Sequence, residues 1–282
     1  MPYIEETISS VKNQDYQCFE HIVYDGISND GTQKVLKKYP HLKWFSESDN
    51  GQSEAINKGF KIAKGEIIGW LNSDDTYQPG AFKNVVEYFE NNPEVDLIHT
   101  DLNIINENSE VIGFTEGGDF DVIRLFGTNM IKQPTVFMRK RVIDKLISVN
   151  EKLHYVMDRE LWLRAGLADI KFVYLPNEVF ANFRLIRGTK SFESGHEFNI
   201  EWHSVIQGAL KNKYFDNLSI KKKSKILHVS QTKIYISELR ECSKKGQRLN
   251  VAKIFLKAIS ETPGSITQFG IWKLLFYGLL GI

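Results

Sequence analysis

Residues 67–75 of the chain are Ile67, Ile68, Gly69, Trp70, Leu71, Asn72, Ser73, Asp74 and Asp75. The first five are apolar almost throughout, as expected for a strand that is covered on both faces of a sheet. The last four are polar and end in two adjacent carboxylates. This order predicts a buried strand whose carboxyl end carries an acidic site.

The sequence on either side of this strand alternates between short apolar runs and helical patterns. Upstream, we predict strands at 21–24 and 42–45, with a helix after Thr32 and another that is capped by Ser53. Downstream, Pro79 is expected to open a helix. A further helix is predicted over 160–167, and strands at 95–99, 110–114, 135–138 and 171–175. This alternation predicts an α/β fold with a mostly parallel central sheet flanked by helices.

The composition and the later part of the sequence predict a globular chain with two parts. Of its 282 residues, 42% are hydrophobic and 25% are charged, which argues against disorder. After about Glu197 the pattern becomes helical, and segments 225–239 and 250–259 are expected to pair as a hairpin. We therefore predict an α/β domain over 1–196 and a helical extension over 197–282. The apolar run 266–282 is marginal in length for crossing a bilayer, which takes about 20 residues.

The charges are unevenly distributed along the chain. Residues 209–282 contain 14 basic and four acidic side chains, although the whole chain has a net charge of +1. The acidic remainder argues against nucleic acid as a partner, and the basic extension suits an anionic membrane surface. Two cysteines are too few for a disulfide framework or a four-thiolate metal site. The first residues are neither basic nor apolar, so we expect no signal peptide and a cytoplasmic protein at the inner face of the cell membrane.

Three polar clusters follow predicted strands, at 25–32, at 48–53 with Asn57 beyond it, and at 72–75. Ligands of open parallel sheets bind beyond the carboxyl ends of the strands, so these clusters are expected to converge. A purely structural interpretation remains open, because Asp-Gly and Asn-Gly pairs form turns and Asp30 can cap a helix. Asp74 and Asp75 repel each other unless a cation or hydrogen-bond donors compensate. Their oxygens favour Mg²⁺ or Mn²⁺ bound together with the phosphates of a substrate.

A fourth group of polar residues lies at the start of the helix around 160–167. Asp158 and Glu160 fall in its first turn, where the helix dipole favours carboxylates for structural reasons alone. The functional interpretation makes Asp158 a general base at the rim of the sheet. The residues themselves leave both interpretations open.

Taken together, these motifs resemble those of the family 2 glycosyltransferases, which are inverting enzymes with a GT-A fold. The resemblance covers residues 1 to about 190. It rests on several motifs in the expected order, at 4–11, 25–32, 49–59, 69–75, 133–137, 157–164 and 183–184.

The resemblance implies a role for each matching residue. Asp25, Asp49, Asn57 and Asp74 would bind a nucleotide-sugar donor, with Asp25 at the base and Asp74 at the ribose. Asp75 would ligate the metal ion on the diphosphate, and Asp158 would deprotonate the acceptor hydroxyl. Gln133 and Glu160 would bind the acceptor, a saccharide or a lipid-linked saccharide. Arg184 and Lys190 would lie in a flexible segment over the diphosphate.

The same resemblance leads us to expect an enzyme that acts on a uridine donor in surface polysaccharide or lipid-linked glycan synthesis. The family's first strand would precede residue 4, and its apparent absence keeps one alternative open, a non-catalytic remnant or accessory binding module. A nucleotidyltransferase would be expected to carry a glycine-rich phosphate loop near its start, and residues 1–31 contain none.

Overall fold

The computed structural model describes residues 3–146 and 148–262, and it divides into two compact units at Arg187 and Gly188. The predicted apolar run 266–282 lies outside the described residues. Within them, no helix is both long and apolar enough to cross a membrane.

The first unit is an α/β domain. Its strands are β1 (His21–Asp25), β2 (Leu42–Ser46), β3 (Ile67–Gly69), β4 (Thr76–Tyr77), β5 (Leu97–Ile105), β6 (Val111–Thr115), β7 (Phe137–Arg139) and β8 (Phe172–Arg184). Its helices are α1 (Ile4–Lys12), α2 (Thr32–Leu36), α3 (Gln52–Ile62), α4 (Ala81–Asn91), α5 (Val122–Gly127), α6 (Lys140–Leu146) and α7 (Met157–Leu167). A 3-10 turn, Gln133–Thr135, precedes β7.

The strands form two sheets, and most of their pairings are antiparallel. β1 and β2 pair in parallel, whereas the second sheet has the order β3-β7-β5-β8-β4 with β6 added to β5. In that sheet only the pairing of β5 with β8 is parallel, among the described residues. The expectation of a mostly parallel sheet is therefore corrected to a mixed sheet. The antiparallel partners are mainly short strands whose apolar pattern carries no sign of direction.

Helices cover both sheets with regularly spaced apolar residues. In α4, Val85 and Phe89 are buried four residues apart against strands β5 and β8. In α1, Ile4 and Ile8 are buried against the β1–β2 pair. The polar residue Thr7 is buried on the same face of α1. Helix α1 therefore contributes a buried polar group as well as apolar cover.

The second unit is helical in the part that is described. It contains α8 (Lys190–Glu193), α9 (Gly195–Ala209), α10 (Ile220–Lys244) and α11 (Arg248–Glu261), with a 3-10 turn over Lys213–Phe215. Helices α10 and α11 form the predicted hairpin, and Gly246 between them has a φ of 65°, a conformation that glycine adopts at little cost. The apolar cluster of this hairpin comprises Tyr235, Leu239, Val251, Ile254, Phe255 and Ala258.

Candidate functional site

The two adjacent carboxylates lie in the turn between β3 and β4, but in different environments. Asp75 has no exposed surface, whereas Asp74 is only half-buried. Asp75 Oδ1 accepts a hydrogen bond from the Arg184 backbone N–H at 2.9 Å, and its Oδ2 accepts one from Asn72 Nδ2 at 3.3 Å. Burial, followed by the charge of Asp74, raises the pKa of Asp75 to about 8. Burial also raises the pKa of Asp74.

Asn72 joins the second and third polar clusters. Its Oδ1 accepts a hydrogen bond from Gln52 Nε2 at 2.9 Å, and its Nδ2 also donates to Gln133 Oε1 at 3.2 Å. Gln133 in turn donates to the Trp70 carbonyl at 2.6 Å and is 8% exposed. The structure thus brings the start of α3, the carboxylate turn and Gln133 together at the end of β3.

The first polar cluster lies beside the second. Asp25, at the end of β1, is 6% exposed, and its carboxylate accepts hydrogen bonds from the Ser28 backbone N–H at 3.2 Å and from Ser46 Oγ at 2.7 Å. A Cβ atom on Gly26 would lie 2.8 Å from Asp49 Oδ2, so a larger residue at this position would have to displace the Asp49 carboxylate. Ile27, which follows, is 57% exposed and has a φ of 60°, a strained conformation for a β-branched residue.

Helix α3 connects the carboxylate turn to the segment that precedes α7. Asn57 Nδ2 donates to the Val149 carbonyl at 3.0 Å and to Glu151 Oε1 at 2.7 Å, and its Oδ1 accepts from the Val149 backbone N–H at 2.9 Å. These bonds favour a structural task for Asn57, while its predicted contact with the donor stays a prediction. Ser53 was predicted to cap α3, but it lies inside the helix and donates to the Leu153 carbonyl at 2.9 Å.

Asp158 occupies the first turn of α7, as predicted. Burial raises the pKa of its carboxyl group, while the backbone and the charge of Arg159 act in the opposite direction. Glu160 makes an ion pair with Arg164 at 2.8 Å, and its side chain is 13% exposed. That pair occupies one carboxylate oxygen of Glu160, whose role toward an acceptor stays a prediction.

Arg184 and Lys190 belong to different structural elements. Arg184 ends strand β8, and its side chain has no exposed surface, so the prediction that it belongs to a flexible segment is corrected. The apolar residues before Arg184 continue the strand, which the short predicted run at 171–175 did not reveal. Lys190 is exposed at the start of α8 in the second unit.

Two residues of α1 hold the carboxylate turn and were not singled out from the sequence. Thr7 Oγ1 lies 2.8 Å from the Asp75 carbonyl oxygen and 3.0 Å from that of Ser73. Glu6 makes an ion pair with Arg184 at 2.6 Å. For Thr7 a signal was available, because it falls between Ile4, Ile8 and Val11 on the apolar face of the helix.

Whether these residues can hold a metal ion depends on how many ligands the phosphates of the substrate supply. Over residues 3–146 and 148–262, no three His, Cys, Asp or Glu side chains are arranged to hold a metal ion. Mg²⁺ bound with a nucleotide requires only one or two carboxylates plus phosphate oxygens. The half-buried Asp74 fits that requirement, whereas both oxygens of Asp75 already accept hydrogen bonds inside the protein.

Comparison with known sequences identifies the family. The sequence model of Glycosyl transferase family 2 matches residues 1–145, half of the chain, so the chain belongs to this family. An uncharacterized glycosyltransferase of Methanocaldococcus jannaschii is 28% identical over 180 residues, which cover 60% of this chain and 62% of the relative. TuaG of Bacillus subtilis, named for teichuronic acid biosynthesis, is 31% identical over 91 residues, 30% of this chain and 36% of that protein. The chain thus spans less than two thirds of these relatives.

Solved structures with the same architecture are glycosyltransferases of the GT-A fold. Staphylococcus aureus TarS 1-349 in complex with UDP-GlcNAc superposes with a TM-score of 0.62 at 19% identity, covering 82% of this chain and 68% of that one. The mannosyltransferase PcManGT from Pyrobaculum calidifontis, in complex with GDP-Man and Mn²⁺, superposes with a TM-score of 0.59 at 16% identity, covering 99% of this chain and 82% of that one. The predicted GT-A fold and family are confirmed.

Proposed function

We propose that this family 2 glycosyltransferase moves a sugar from a nucleotide-diphosphate donor to a hydroxyl acceptor, with inversion at the anomeric carbon. The observation that carries the proposal is the convergence of three polar clusters at the ends of β1, β2 and β3, joined by the Asn72 amide and the close approach of Gly26 to Asp49. A protein needs no such convergence of unlike polar groups for folding alone.

The donor is proposed to be a uridine diphosphate sugar held between β1 and the carboxylate turn. Asp25 would bind the base, with Asp49 beside it, and Asp74 would face the ribose and diphosphate. The co-crystallised TarS neighbour binds UDP-GlcNAc, which supports the uridine donor. Gln133, hydrogen-bonded to the same turn, would shape the acceptor side of the site.

A divalent cation is proposed to accompany the donor, as Mn²⁺ does in PcManGT. We assign its protein ligand to Asp74 rather than to the predicted Asp75, because Asp74 is the less buried carboxylate and Asp75 is engaged inside the protein. When bound, Mg²⁺ or Mn²⁺ would neutralise the negative charge that develops on the departing diphosphate.

Asp158 is proposed to act as the general base. The acceptor oxygen forms a bond to the anomeric carbon, the bond from that carbon to the diphosphate breaks, and the acceptor proton passes to the Asp158 carboxylate. A carboxylate whose pKa is raised by burial is a stronger base than one in water, which suits this task. The acceptor is proposed to be a saccharide or lipid-linked saccharide of a surface polymer, in line with the name of TuaG.

The test measures nucleotide binding and turnover together. Calorimetry of the chain with UDP, GDP and Mn²⁺ should give metal-dependent binding that favours UDP, and a screen of UDP-sugars should release UDP when an acceptor is present. Asp74→Asn should lose the metal dependence, while the matched control Asp144→Asn, at an exposed ion pair with Lys140, should keep it. Metal-dependent binding that survives Asp74→Asn would contradict the assignment.

We also propose that the second unit contacts an anionic membrane surface. The first turns of α10 expose Ile220, at 88%, together with Lys221 and Lys222. Helix α11 exposes Leu249, at 80%, and Leu256, at 66%, on the side opposite its apolar cluster. Exposed apolar residues flanked by lysines are the pattern of helices that lie at a membrane interface.

A further inference from the structure

Arg184 places a charged guanidinium entirely inside the first unit. Its side chain has no exposed surface, and its Nη1 donates to the Asn106 carbonyl and to Ser109 Oγ, both at 2.9 Å. The guanidinium carbon lies 4.6 Å from the centre of the Tyr3 ring, within the range of a cation–π contact. A buried charge with this many partners is costly to assemble, so its position needs an explanation.

The counter-charge of Arg184 comes from Glu6 in α1, and a third residue completes a ring of hydrogen bonds. Arg184 Nη2 donates to Glu6 Oε2 at 2.6 Å, and Ser109 Oγ donates to Glu6 Oε1 at 2.6 Å. Ser109 lies in the turn between β5 and β6 with a φ of 65°, a left-handed conformation uncommon for serine. Arg184, Glu6 and Ser109 therefore join β8, α1 and the β5–β6 turn.

The same arginine is bonded directly to the carboxylate turn. Its Nε donates to the Asp74 carbonyl oxygen at 2.9 Å, and its backbone N–H donates to Asp75 Oδ1. Four of the five N–H groups of the guanidinium thus donate hydrogen bonds to protein atoms. This engagement makes Arg184 a poor candidate for the contact with the diphosphate that its sequence motif implied.

We propose that Arg184 and its counter-ion Glu6 are positioning residues that fix the Asp74–Asp75 turn so that the Asp74 carboxylate is presented to the donor's cation. The proposal rests on the proposed function, because it presumes that Asp74 meets a cation there. The planar fork of arginine reaches a carbonyl and a carboxylate in fixed directions at once, which the single ammonium of lysine does not. A rigid turn avoids the ordering cost that a mobile carboxylate would add to cation binding.

The test compares two neighbouring glutamates of α1 by calorimetry of UDP with titrated Mn²⁺. Glu6→Gln keeps the size of the side chain but removes the counter-charge, and it should weaken the apparent Mn²⁺ affinity by about 10- to 100-fold, the usual effect of altering a residue that orients a metal ligand. The matched control is Glu5→Gln, whose carboxylate is half-exposed and pairs with Lys38 at 3.4 Å. It should leave the Mn²⁺ affinity unchanged.

Two further variants separate positioning from mere stability. Arg184→Lys keeps the charge without the fork and should also lose Mn²⁺ affinity, whereas Ser109→Ala removes one link of the ring and should lose less. Melting midpoints, measured in parallel, show whether each variant is folded at the temperature of the titration. A structural role alone would lower the midpoint and leave the Mn²⁺ affinity of the folded protein unchanged.

The titrations distinguish a failure of the proposed cation from a failure of the proposed positioning role. If UDP binding by the unaltered protein does not depend on Mn²⁺, the proposed cation is wrong, and the positioning role is overturned with it. If the unaltered protein does depend on Mn²⁺ and Glu6→Gln behaves like Glu5→Gln, only the positioning role is overturned.

Discussion

The carboxylate turn after β3 and the α10–α11 hairpin are stabilised by contacts of different kinds. Asp75 is held by hydrogen bonds from Arg184 and Asn72, and each bond depends on the identity and direction of a single polar atom. The hairpin is held by an apolar cluster that includes Leu239 and Phe255, where packing depends on volume. Two equally buried regions can therefore differ in what their contacts do. Directional hydrogen bonds fix the position of a functional group, whereas apolar packing stabilises the fold alone.

The largest expected effect is on the chemistry that we propose for the first unit. Asp158→Asn should lower kcat by about 10²- to 10⁴-fold, because it removes the general base, and UDP affinity should stay nearly constant. Steady-state kinetics and calorimetry measure the two quantities. Asp144→Asn serves as the control, and near-normal turnover in Asp158→Asn would show that this carboxylate serves only the helix terminus.

The pH dependence of turnover sharpens the same prediction. Burial raises the pKa of Asp158, and the base must be ionised to accept a proton. Turnover should therefore fall as the pH is lowered through that raised pKa, at a higher pH than an ordinary aspartate would give. The acid limb of a kcat profile should disappear in Asp158→Asn, and an unchanged limb would assign it to another group.

The next largest effect is the loss of stability expected from a substitution in the apolar cluster of the hairpin. Leu239 has no exposed surface, so Leu239→Ala should cost about 2–5 kcal/mol through lost burial and the cavity that remains. Thermal unfolding followed by circular dichroism measures the loss. The control Leu249→Ala, at a side chain that is 80% exposed, should change stability by less than about 0.5 kcal/mol. Equal effects of the two changes would contradict the observed packing.

Two substitutions that conserve the size of the side chain compare the carboxylate turn with the hairpin. Asn72→Asp retains the shape of the side chain but loses the N–H groups that reach Asp75 and Gln133, and it adds a third negative charge. We expect metal-free UDP binding to weaken by about 1–3 kcal/mol. Leu239→Met conserves volume and should cost less than about 1.5 kcal/mol of stability. Unchanged UDP binding in Asn72→Asp would remove the distinction.

The smallest expected effect concerns the surface of the second unit. Vesicles containing anionic lipid should float the protein at low salt and release it as salt rises, because each basic residue near the surface contributes about 1 kcal/mol that screening removes. Replacing both Lys221 and Lys222 by Gln should reduce flotation, while neutral vesicles serve as the control. An absence of flotation with anionic vesicles at low salt would exclude the membrane partner.

The sequence predicted the strands that end in polar clusters better than it predicted how they are arranged. The runs at 21–24, 42–45 and 67–71 lie close to β1, β2 and β3, because apolar runs and turn residues are local signals. The mixed order of the second sheet depends on pairings between distant segments, such as Ile98 with Phe137, which no local pattern encodes.

The sequence indicates which residue types form the candidate site, but not the direction in which each side chain points. The polar clusters at 25–32, 48–53 and 72–75 were expected to converge, and they do, yet the sequence did not distinguish the buried carboxylate of Asp75 from the more accessible one of Asp74. Ser53 looked like a helix cap, and its true partner is the carbonyl of Leu153, 100 residues later. Contacts of this kind become visible only when the chain is folded.

Replacing Ile27 is expected to raise the stability of the protein and to weaken its binding of the donor. Its left-handed backbone strains a β-branched side chain beside Asp25, and such strain costs about 1–3 kcal/mol. A search for thermostable variants should therefore favour Ile27→Asn, since asparagine tolerates this conformation. The same substitution would let the loop after β1 adopt other shapes, and UDP affinity should fall. Natural selection for activity would keep a residue that selection for stability alone would replace.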